Sequence, residues 1–235
     1  MVEKILLIGI TAVIMYICCF FAMRFTYGCL QENSEEDTAK KTSAASAFVY
    51  RNSKYTSLIF AAVWAAVAFF VYDKCYTLIG FAQISVIMFA VFSAAIVDFE
   101  LRIIPNIISI LLLVAGTVVH IIDIALAAVG SSASEAAKEI LIFNVIAMLG
   151  MALFLVISSK IAHGGMGEGD IKLLSVICYA GGLSFSLMSL SFSLMVGLVF
   201  GIVLLVFKVK RFKDDIPFAP FIMAGSIMAV LLGLV

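Results

Sequence analysis

The sequence predicts an all-α polytopic membrane protein with about eight transmembrane helices, and two observations support this. Of its 235 residues, 64% are apolar and 13% are charged, whereas ordinary soluble domains have about 45–50% apolar and about 25% charged residues. The apolar residues also form runs close to the ~20 residues that a helix needs to cross a bilayer. The balance of 15 basic and 15 acidic residues excludes a nucleic-acid-binding domain, which carries a basic excess.

The predicted spans follow the apolar runs in chain order. The first comes directly after a short head, Met1 to Lys4, without an obvious cleavage site, which predicts a retained span rather than a signal peptide. The sixth and seventh share a stretch in which Lys172 is the only charge between Asp170 and Lys208. Gly181-Gly182 is the expected break there, so one helix of this pair is shorter than a full span. The spans are Ile5–Met23, Ser57–Tyr72, Leu78–Val97, Ile104–Ile122, Ile140–Ser158, Ile171–Leu183, Ser186–Phe207 and Ile216–Val235.

The basic residues predict the orientation of these spans. With eight spans, the first, third, fifth and seventh loops lie on one side of the membrane and carry 12 of the 15 basic residues. Basic residues concentrate on the cytoplasmic side, so we expect these loops in the cytoplasm and both termini outside. The first loop also has an acidic centre, Glu32 to Asp37, which is either a solvated surface or one that attracts a basic partner.

Two acidic residues do not lie in polar loops. Asp98 ends the run Leu78–Val97, and Asp170 follows a glycine-dense stretch and opens the next run. An ionisable group at the membrane edge is costly and therefore suggests a functional site. The predicted topology puts both residues on the cytoplasmic side, whereas Asp73 and Asp123 fall on the opposite side.

A pair of carboxylates in contact shares one proton. The ionised member can activate a water molecule while the protonated member polarises a scissile carbonyl, which is aspartic-protease chemistry that needs no metal or cofactor. The alternative is that each aspartate merely caps a helix at the lipid boundary. The glycines between 164 and 169 favour the first interpretation, since an extended peptide can approach their main chain closely.

Three segments resemble the motifs of type IV prepilin peptidases, which are membrane aspartic proteases of the GxGD type. The segment 97–106, VDFELRIIPN, resembles the first aspartate motif, an Asp followed several residues later by Ile/Leu-Pro-Asp/Asn. The segment 165–174, GMGEGDIKLL, resembles the second, G-M-G-x-G-D-x-K-L-L. The segment 216–221, IPFAPF, followed by Ala224-Gly225, is similar to a C-terminal P-F-G-P-x-x-A-x-G motif, with Ala219 in place of the usual glycine.

The resemblance implies a multi-pass enzyme of the bacterial inner membrane that removes the short basic leader from prepilins or pseudopilins at the cytoplasmic face. Asp98 and Asp170 match the two catalytic aspartates, and Gly167 and Gly169 match the motif glycines. On this basis 78–235 is the catalytic six-helix core, and 1–77 contributes two helices joined by a short cytoplasmic loop, 24–55. Substrate and lipid are the expected partners, and nucleic acid is not one.

One departure from the family concerns a second activity. Many members carry a cytoplasmic zinc-binding domain with paired C-x-x-C motifs, which is associated with N-methylation of the trimmed pilin. Here the corresponding loop contains only Cys29, and none of the five cysteines forms a C-x-x-C pair. We therefore expect the zinc domain and the methyltransferase activity to be absent, and no metal to be bound.

Further residues are candidates for binding the substrate. Lys172 is placed to hold a substrate carbonyl or acidic group, although snorkelling to the headgroups is the commoner role of such a lysine. Glu100 and Glu168 are candidates for contacting the basic leader, and a solvated role is equally open. We also expect a lateral opening near the two aspartates, through which the apolar helix of the substrate enters from lipid.

The positions of the two aspartates on their helices predict which one carries the shared proton. Asp98 lies near a helix C-terminus, which disfavours a carboxylate, and Asp170 lies near an N-terminus, which favours one. The hypothesis is that Asp98 is protonated and Asp170 ionised. Elsewhere, Gln83 and Asn144 are predicted to form interhelical hydrogen bonds, and His120 is expected to pair with Asp123.

Two other classes of membrane protein remain as alternatives. A presenilin-like or signal-peptide-peptidase-like protease also uses a GxGD aspartate, but that group has a tyrosine before the first aspartate, where this chain has Val97. A proton-coupled transporter also combines intramembrane acids with broken, glycine-rich helices. No inverted repeat is evident in the sequence, which counts against the transporter.

Overall fold

The computed structural model describes residues 2–32, 53–72, 75, 77–129, 133–161, 166–207 and 217–233, and within these ranges it contains seven helices and no strands. The all-helical prediction is therefore confirmed. The helices are α1 (Val2–Glu32), α2 (Ser53–Tyr72), α3 (Leu78–Leu101), α4 (Asn106–Val129), α5 (Ala133–Ile161), α6 (Glu168–Val206) and α7 (Ala219–Leu231).

Six of these helices, α1 to α6, are long and apolar enough to cross a membrane. Several boundaries differ from the prediction. The first loop is shorter than 24–55, because α1 continues to Glu32 and α2 begins at Ser53. The last helix is shorter than Ile216–Val235. It begins at Ala219, with Pro220 in its first turn, and it ends at Leu231, shortly before Gly233, which has φ 72°.

Helix α6 reverses direction within its length, so it supplies two of the predicted spans. Gly182 has φ 82° and ψ 166°, which is not helical and is a conformation that only glycine adopts readily. Beyond this break the Ser186 hydroxyl donates to the Leu174 carbonyl oxygen at 3.4 Å, a distance that no continuous helix allows between residues twelve apart. The predicted break at Gly181-Gly182 is thus confirmed, and we call the two segments α6a (168–181) and α6b (183–206).

The break leaves carbonyl groups of α6a without their usual helical partners, and side chains from other helices replace those partners. Gln83 on α3 donates to the Ala180 carbonyl oxygen. His120 on α4 contacts the Tyr179 carbonyl oxygen at 3.1 Å. Unpaired backbone groups are costly within a bilayer, so these contacts make the reversal tolerable. The prediction for Gln83 is confirmed, whereas the expected pair of His120 with Asp123 is wrong because His120 points at the broken helix instead.

Helix α3 lies at the centre of the bundle. Over its spanning window 56% of residues are buried, against 17–33% in the other five candidate spans, and it packs against α1, α4 and α7. Its inward side chains include Phe81, Met88 and Phe92, all fully buried. Because α1 packs on α3 as well as on α2, the N-terminal pair shares an interface with the remainder, and the division at residues 77 and 78 stays a prediction.

The packing also fixes which helix ends share a side. Segment α6b runs antiparallel to α7, since Ser189 contacts Ser226 at 2.7 Å and the Phe200 ring lies 5.5 Å from the Phe221 ring. The C-terminal end of α3, the N-terminal end of α6a and the N-terminal end of α7 therefore meet at one end of the bundle. Every motif singled out in the sequence contributes residues to this end.

Candidate active site

Asp98 lies in the last turn of α3, with its side chain directed into the bundle. Only 6% of its surface is exposed. The helix ends at Leu101, and the next residue, Arg102, adopts a left-handed conformation with φ 54° and its N–H donates to the Asp98 carbonyl oxygen at 2.9 Å. This ending matches the C-terminal αL motif of helices. The left-handed residue ends α3 shortly after Asp98, and the chain then continues to Pro105 without helical structure.

Asp170 is the third residue of α6, and the helix start itself positions it. The Ile171 N–H donates to the Gly167 carbonyl oxygen at 3.2 Å, which makes Gly167 the residue that caps the helix. The Asp170 carboxylate accepts a hydrogen bond from the Gly167 backbone N–H. This is the reciprocal half of a capping box, in which the third helical residue reaches back to the cap. The glycine motif therefore holds the aspartate side chain near its own backbone.

The two aspartates come together at the shared end of the bundle. Their carboxylates are close enough to interact electrostatically. Next to them, Gly169 packs on Ile104, and a β-carbon built at position 169 would lie 2.9 Å from the Ile104 Cβ. Since Ile104 belongs to the turn that follows α3, this contact ties the start of α6 to the end of the helix that carries Asp98.

A third helix contributes backbone donors to Asp98. The Ala219 N–H donates to Asp98 Oδ2 at 2.9 Å in a fully buried contact, and the Phe218 backbone N–H also bonds to this carboxylate. These two groups begin α7, so Asp98 acts as the N-terminal cap of a helix to which it does not belong. This contact is not among those predicted from the sequence, although Pro220 near the start of the last helix is a signal for the helix N-terminus.

The surroundings of Asp170 are poorer in donors than those of Asp98. Its Oδ1 atom is buried, and within the described residues no group forms a hydrogen bond with it. Asp98, by comparison, has two backbone donors and the positive charge of Arg102 nearby. This arrangement opposes the sequence-based hypothesis that Asp98 is the protonated member of the pair.

Lys172 and Glu168 each lie two residues from Asp170 in the sequence, and both line the mouth of a groove. Lys172 is exposed, and its Nζ donates to Asn106 Oδ1 at 3.3 Å; Glu168 is exposed as well. Asn106 closes the first aspartate motif, but its contact with Lys172 is not predicted by that motif. The side chain of Glu100 and the acidic segment beyond Glu32 lie outside what the structure describes.

The groove lies between α4, α5 and α6a and has a volume of about 770 Å³. Its mouth is polar, with Asn106, Ser159, Lys160, Glu168 and Lys172. Its deeper walls are apolar and are formed by Ile110, Leu113, Met148, Leu149, Ala152 and Val156. The groove thus continues from the residues around Asp170 into the apolar part of the bundle. Within the described ranges, no three His, Cys, Asp or Glu side chains come together as potential metal ligands.

Comparison with known proteins gives a family and one partial relative. The family model described as "Type IV leader peptidase family" matches residues 84–202, about half of the chain, and this range contains both aspartates. A segment of 81 residues is 40% identical to the "Prepilin leader peptidase/N-methyltransferase" of Bacillus subtilis (strain 168), covering 34% of this chain and 33% of that protein. The match therefore spans about a third of the relative's length. No solved structure matches the chain.

Proposed function

Because the chain belongs to the type IV leader peptidase family, we propose that it is an aspartic endopeptidase that removes the basic leader from type IV prepilins or pseudopilins. Asp98 and Asp170 are the catalytic residues of this proposal. The observation that carries it is the approach of these two carboxylates, 72 positions apart in the sequence, to a distance at which they interact electrostatically.

The chemistry follows from that proximity. Because the negative charge of one carboxylate disfavours ionisation of the other, one is available as a general base for water and the other as a general acid for the carbonyl oxygen of the scissile bond. Burial of Asp98 at 6% exposure strengthens each electrostatic interaction at the site, since bulk water is largely excluded.

The proposed location is the cytoplasmic face of the bacterial inner membrane. Support comes from the basic residues, of which 12 of 15 belong to loops predicted on the same side as both aspartates. A prepilin leader carries basic residues and remains at that face while the following apolar helix stays in the membrane. The acidic segment Glu32 to Asp37 is proposed to attract the leader.

The groove between α4, α5 and α6a is the proposed entrance for the apolar helix of the substrate. Its apolar walls include Leu149, which is 61% exposed on the outer surface, and its mouth is lined by Glu168, Ile171 and Lys172, which flank Asp170 in the sequence. Lys172 and Glu168 at the mouth are proposed to hold polar groups of the substrate, with Glu100 as a further candidate. Gly167 is exposed and is proposed to let the main chain of the substrate approach closely, because it carries no side chain. The space beside Gly169 is occupied by Ile104, so this glycine is proposed to act through the position of Asp170.

We further propose that the enzyme lacks the N-methyltransferase activity named for the Bacillus relative. The zinc domain associated with methylation in related enzymes needs paired C-x-x-C motifs. This chain has five cysteines and no such pair, so the loop after α1 offers no equivalent ligand set.

Co-expression with candidate prepilins and pseudopilins tests the proposal. The wild-type protein should shorten its substrate by the leader, as measured by mass spectrometry of the substrate N-terminus, and Asp98→Ala and Asp170→Ala should each abolish the cleavage. Asp123→Ala is the matched control, because Asp123 lies on α4 near the opposite end of the bundle. Full cleavage by either active-site variant would overturn the proposal.

The same variants discriminate between the proposed function and the alternatives. A presenilin-like protease would cut within the apolar helix of the substrate, which the mass of the product reveals. A transporter would leave the substrate intact in all strains, and proteoliposomes would show a proton flux that Asp170→Asn abolishes. The N-terminal mass of the product also reports methylation, as an additional 14 Da that we expect to be missing.

A further inference from the structure

The backbone N–H groups of Phe218 and Ala219, at the start of α7, find their acceptor on another helix. The Phe221 and Ile222 N–H groups donate to the Phe218 carbonyl oxygen, at 2.9 and 3.1 Å, and Pro220 has no N–H. The groups that remain at the start of the helix are the N–H groups of Phe218 and Ala219. Both bond to the Asp98 carboxylate, and the Ala219 contact measures 2.9 Å. All donors at this helix start are therefore accounted for.

Donors of this kind favour a negative charge. A helix N-terminus carries a partial positive charge, and a hydrogen bond from an N–H to an ionised carboxylate is stronger than one to a neutral acid. The charged groups that face Asp98 are Arg102, which follows α3 and favours the ionised form, and Asp170, which opposes it. No charged side chain of α7 takes part, since the described residues of that helix carry none.

The partner aspartate has the complementary surroundings. Asp170 has one backbone donor, from Gly167, and a buried Oδ1 without a hydrogen bond in the described residues. A buried carboxylate oxygen without a donor is costly when charged, whereas a protonated carboxyl group avoids that cost. The hydrogen-bond donors around the two carboxylates therefore favour the negative charge on Asp98 and the proton on Asp170.

On the basis of the proposed peptidase function, we propose that the N-terminus of α7 is a positioning element that keeps Asp98 ionised as the general base and leaves the shared proton on Asp170. Water then attacks the scissile carbonyl carbon as its proton passes to Asp98, and Asp170 gives its proton to the carbonyl oxygen. When the C–N bond breaks, the nitrogen takes the proton from Asp98. A hydroxyl proton of the tetrahedral intermediate returns to Asp170, which restores the starting state.

Infrared titration of protein labelled with ¹³C at the aspartate carboxyl carbons tests this assignment without any substrate. In Asp98→Asn only Asp170 remains at the site, and in Asp170→Asn only Asp98 remains. We expect the protonated carboxyl band of Asp98→Asn to persist to higher pH than that of Asp170→Asn. The reverse order would overturn the proposal. Because the measurement needs no cleavage, its failure is distinguishable from failure of the proposed function.

A second pair of variants tests the role of α7 itself. In the Asp170→Asn background, Ala219→Pro removes the N–H that bonds to Asp98, and Ala219→Gly retains it. Proline is well tolerated at the first position of a helix. We expect Ala219→Pro to move the Asp98 band to higher pH by about one to two units, the equivalent of one hydrogen bond to a charged group, and Ala219→Gly to leave it in place. Equal titrations of the two variants would show that α7 does not control the charge.

The kinetic counterpart uses the full enzyme with an intact Asp170. Loss of the N–H in Ala219→Pro should shift the acidic limb of the pH profile of kcat/KM upward by a similar amount, because the base must be ionised to act. A purely structural defect would lower kcat/KM at every pH without moving the limb, and that result would contradict the proposal.

Discussion

Gly169 and Ile104 pack so closely that a β-carbon on residue 169 would lie 2.9 Å from the Ile104 Cβ. The contact joins the residue before Asp170 to the turn that follows the helix of Asp98. Any side chain at position 169 must therefore displace one of the two segments that carry the aspartates. The close packing against Ile104 thus explains why position 169 has no side chain, and this packing cannot be seen in the sequence.

Substitution of this glycine should reduce the rate of cleavage. We expect Gly169→Ala to lower kcat by about 10- to 100-fold, because a displacement of about 1 Å between reacting groups has effects of that size. Gly201→Ala is the control, since a β-carbon at that helical position meets nothing within 4 Å. Steady-state cleavage of a purified substrate measures both. Equal rates for the two variants would show that the Gly169–Ile104 contact does not control the geometry of the aspartates.

Asp98 is expected to contribute to stability as well as to catalysis, since it caps α7 through the Ala219 N–H. Asp98→Ala should lower the free energy of unfolding by about 1 kcal/mol, as other lost caps do, which corresponds to about 2–4 °C in Tm for a chain of this size. Asp98→Asn keeps an oxygen acceptor and should lose less. Thermal unfolding in detergent measures the difference, and both variants should be inactive. An equal loss of Tm in the two would contradict the capping role.

The break in α6 depends on side chains from neighbouring helices. Gln83→Leu should destabilise the protein by about 1–3 kcal/mol, because it leaves the Ala180 carbonyl group buried without its donor. Ser158→Ala serves as the control, since that hydroxyl is exposed and only bonds to the Phe154 carbonyl oxygen of its own helix. The comparison is again made by thermal unfolding in detergent. A loss no larger than that of Ser158→Ala would mean that the carbonyl group finds another donor.

Filling the groove should weaken binding of the substrate's apolar helix. Ala152 lines the groove on α5, whereas its neighbour Leu153 is 62% exposed and points away from it. Ala152→Phe should raise KM for a full-length prepilin at least about tenfold, the equivalent of about 1.4 kcal/mol, and Leu153→Phe should leave KM unchanged. Cleavage kinetics in proteoliposomes measure both values. An unaltered KM for Ala152→Phe would show that the apolar helix of the substrate does not bind in this groove.

Lys172 at the groove mouth should contribute to substrate affinity. We expect Lys172→Met to raise KM about tenfold with a smaller change in kcat, because a hydrogen bond to a charged group contributes about 1.5–3 kcal/mol. Lys138→Met is the control, since Lys138 is also exposed but pairs with Glu135 at 2.9 Å on the opposite end of the bundle. A lysine that only snorkels to the headgroups would give the same KM in both variants.

Much of the fold followed from local properties of the chain. The spans could be predicted because a helix in lipid must be apolar along its length. The break at Gly181-Gly182 could be predicted because two glycines interrupt an apolar stretch that is too long for one helix. Several helices extend beyond the predicted spans. The apolar span of α5 begins at Lys138, close to the predicted Ile140, but the helix begins at Ala133, since polar residues at the membrane edge, such as the Glu135–Lys138 pair, can extend a helix into water.

The candidate site was predictable only as a set of residues. Counting the spans was enough to place Asp98 and Asp170 on one side, and the two motifs indicated that they meet. The contacts of His120 could not be predicted, because they depend on a carbonyl group exposed by the break in another helix. Asn106 was equally hidden, since its contact with Lys172 joins two helices 66 positions apart.

Composition, charge and motif order were therefore sufficient to predict a helical membrane protein of the type IV leader peptidase family and to select two aspartates, because apolar runs, basic loops and motifs can each be read locally along the chain. The preference of each aspartate for a proton was decided by the packing of a third helix. From the sequence, the negative end of α3 disfavours a charge on Asp98. In the folded protein the start of α7 supplies two N–H groups to that carboxylate, and electrostatic effects of this kind depend on distances that only the tertiary structure sets.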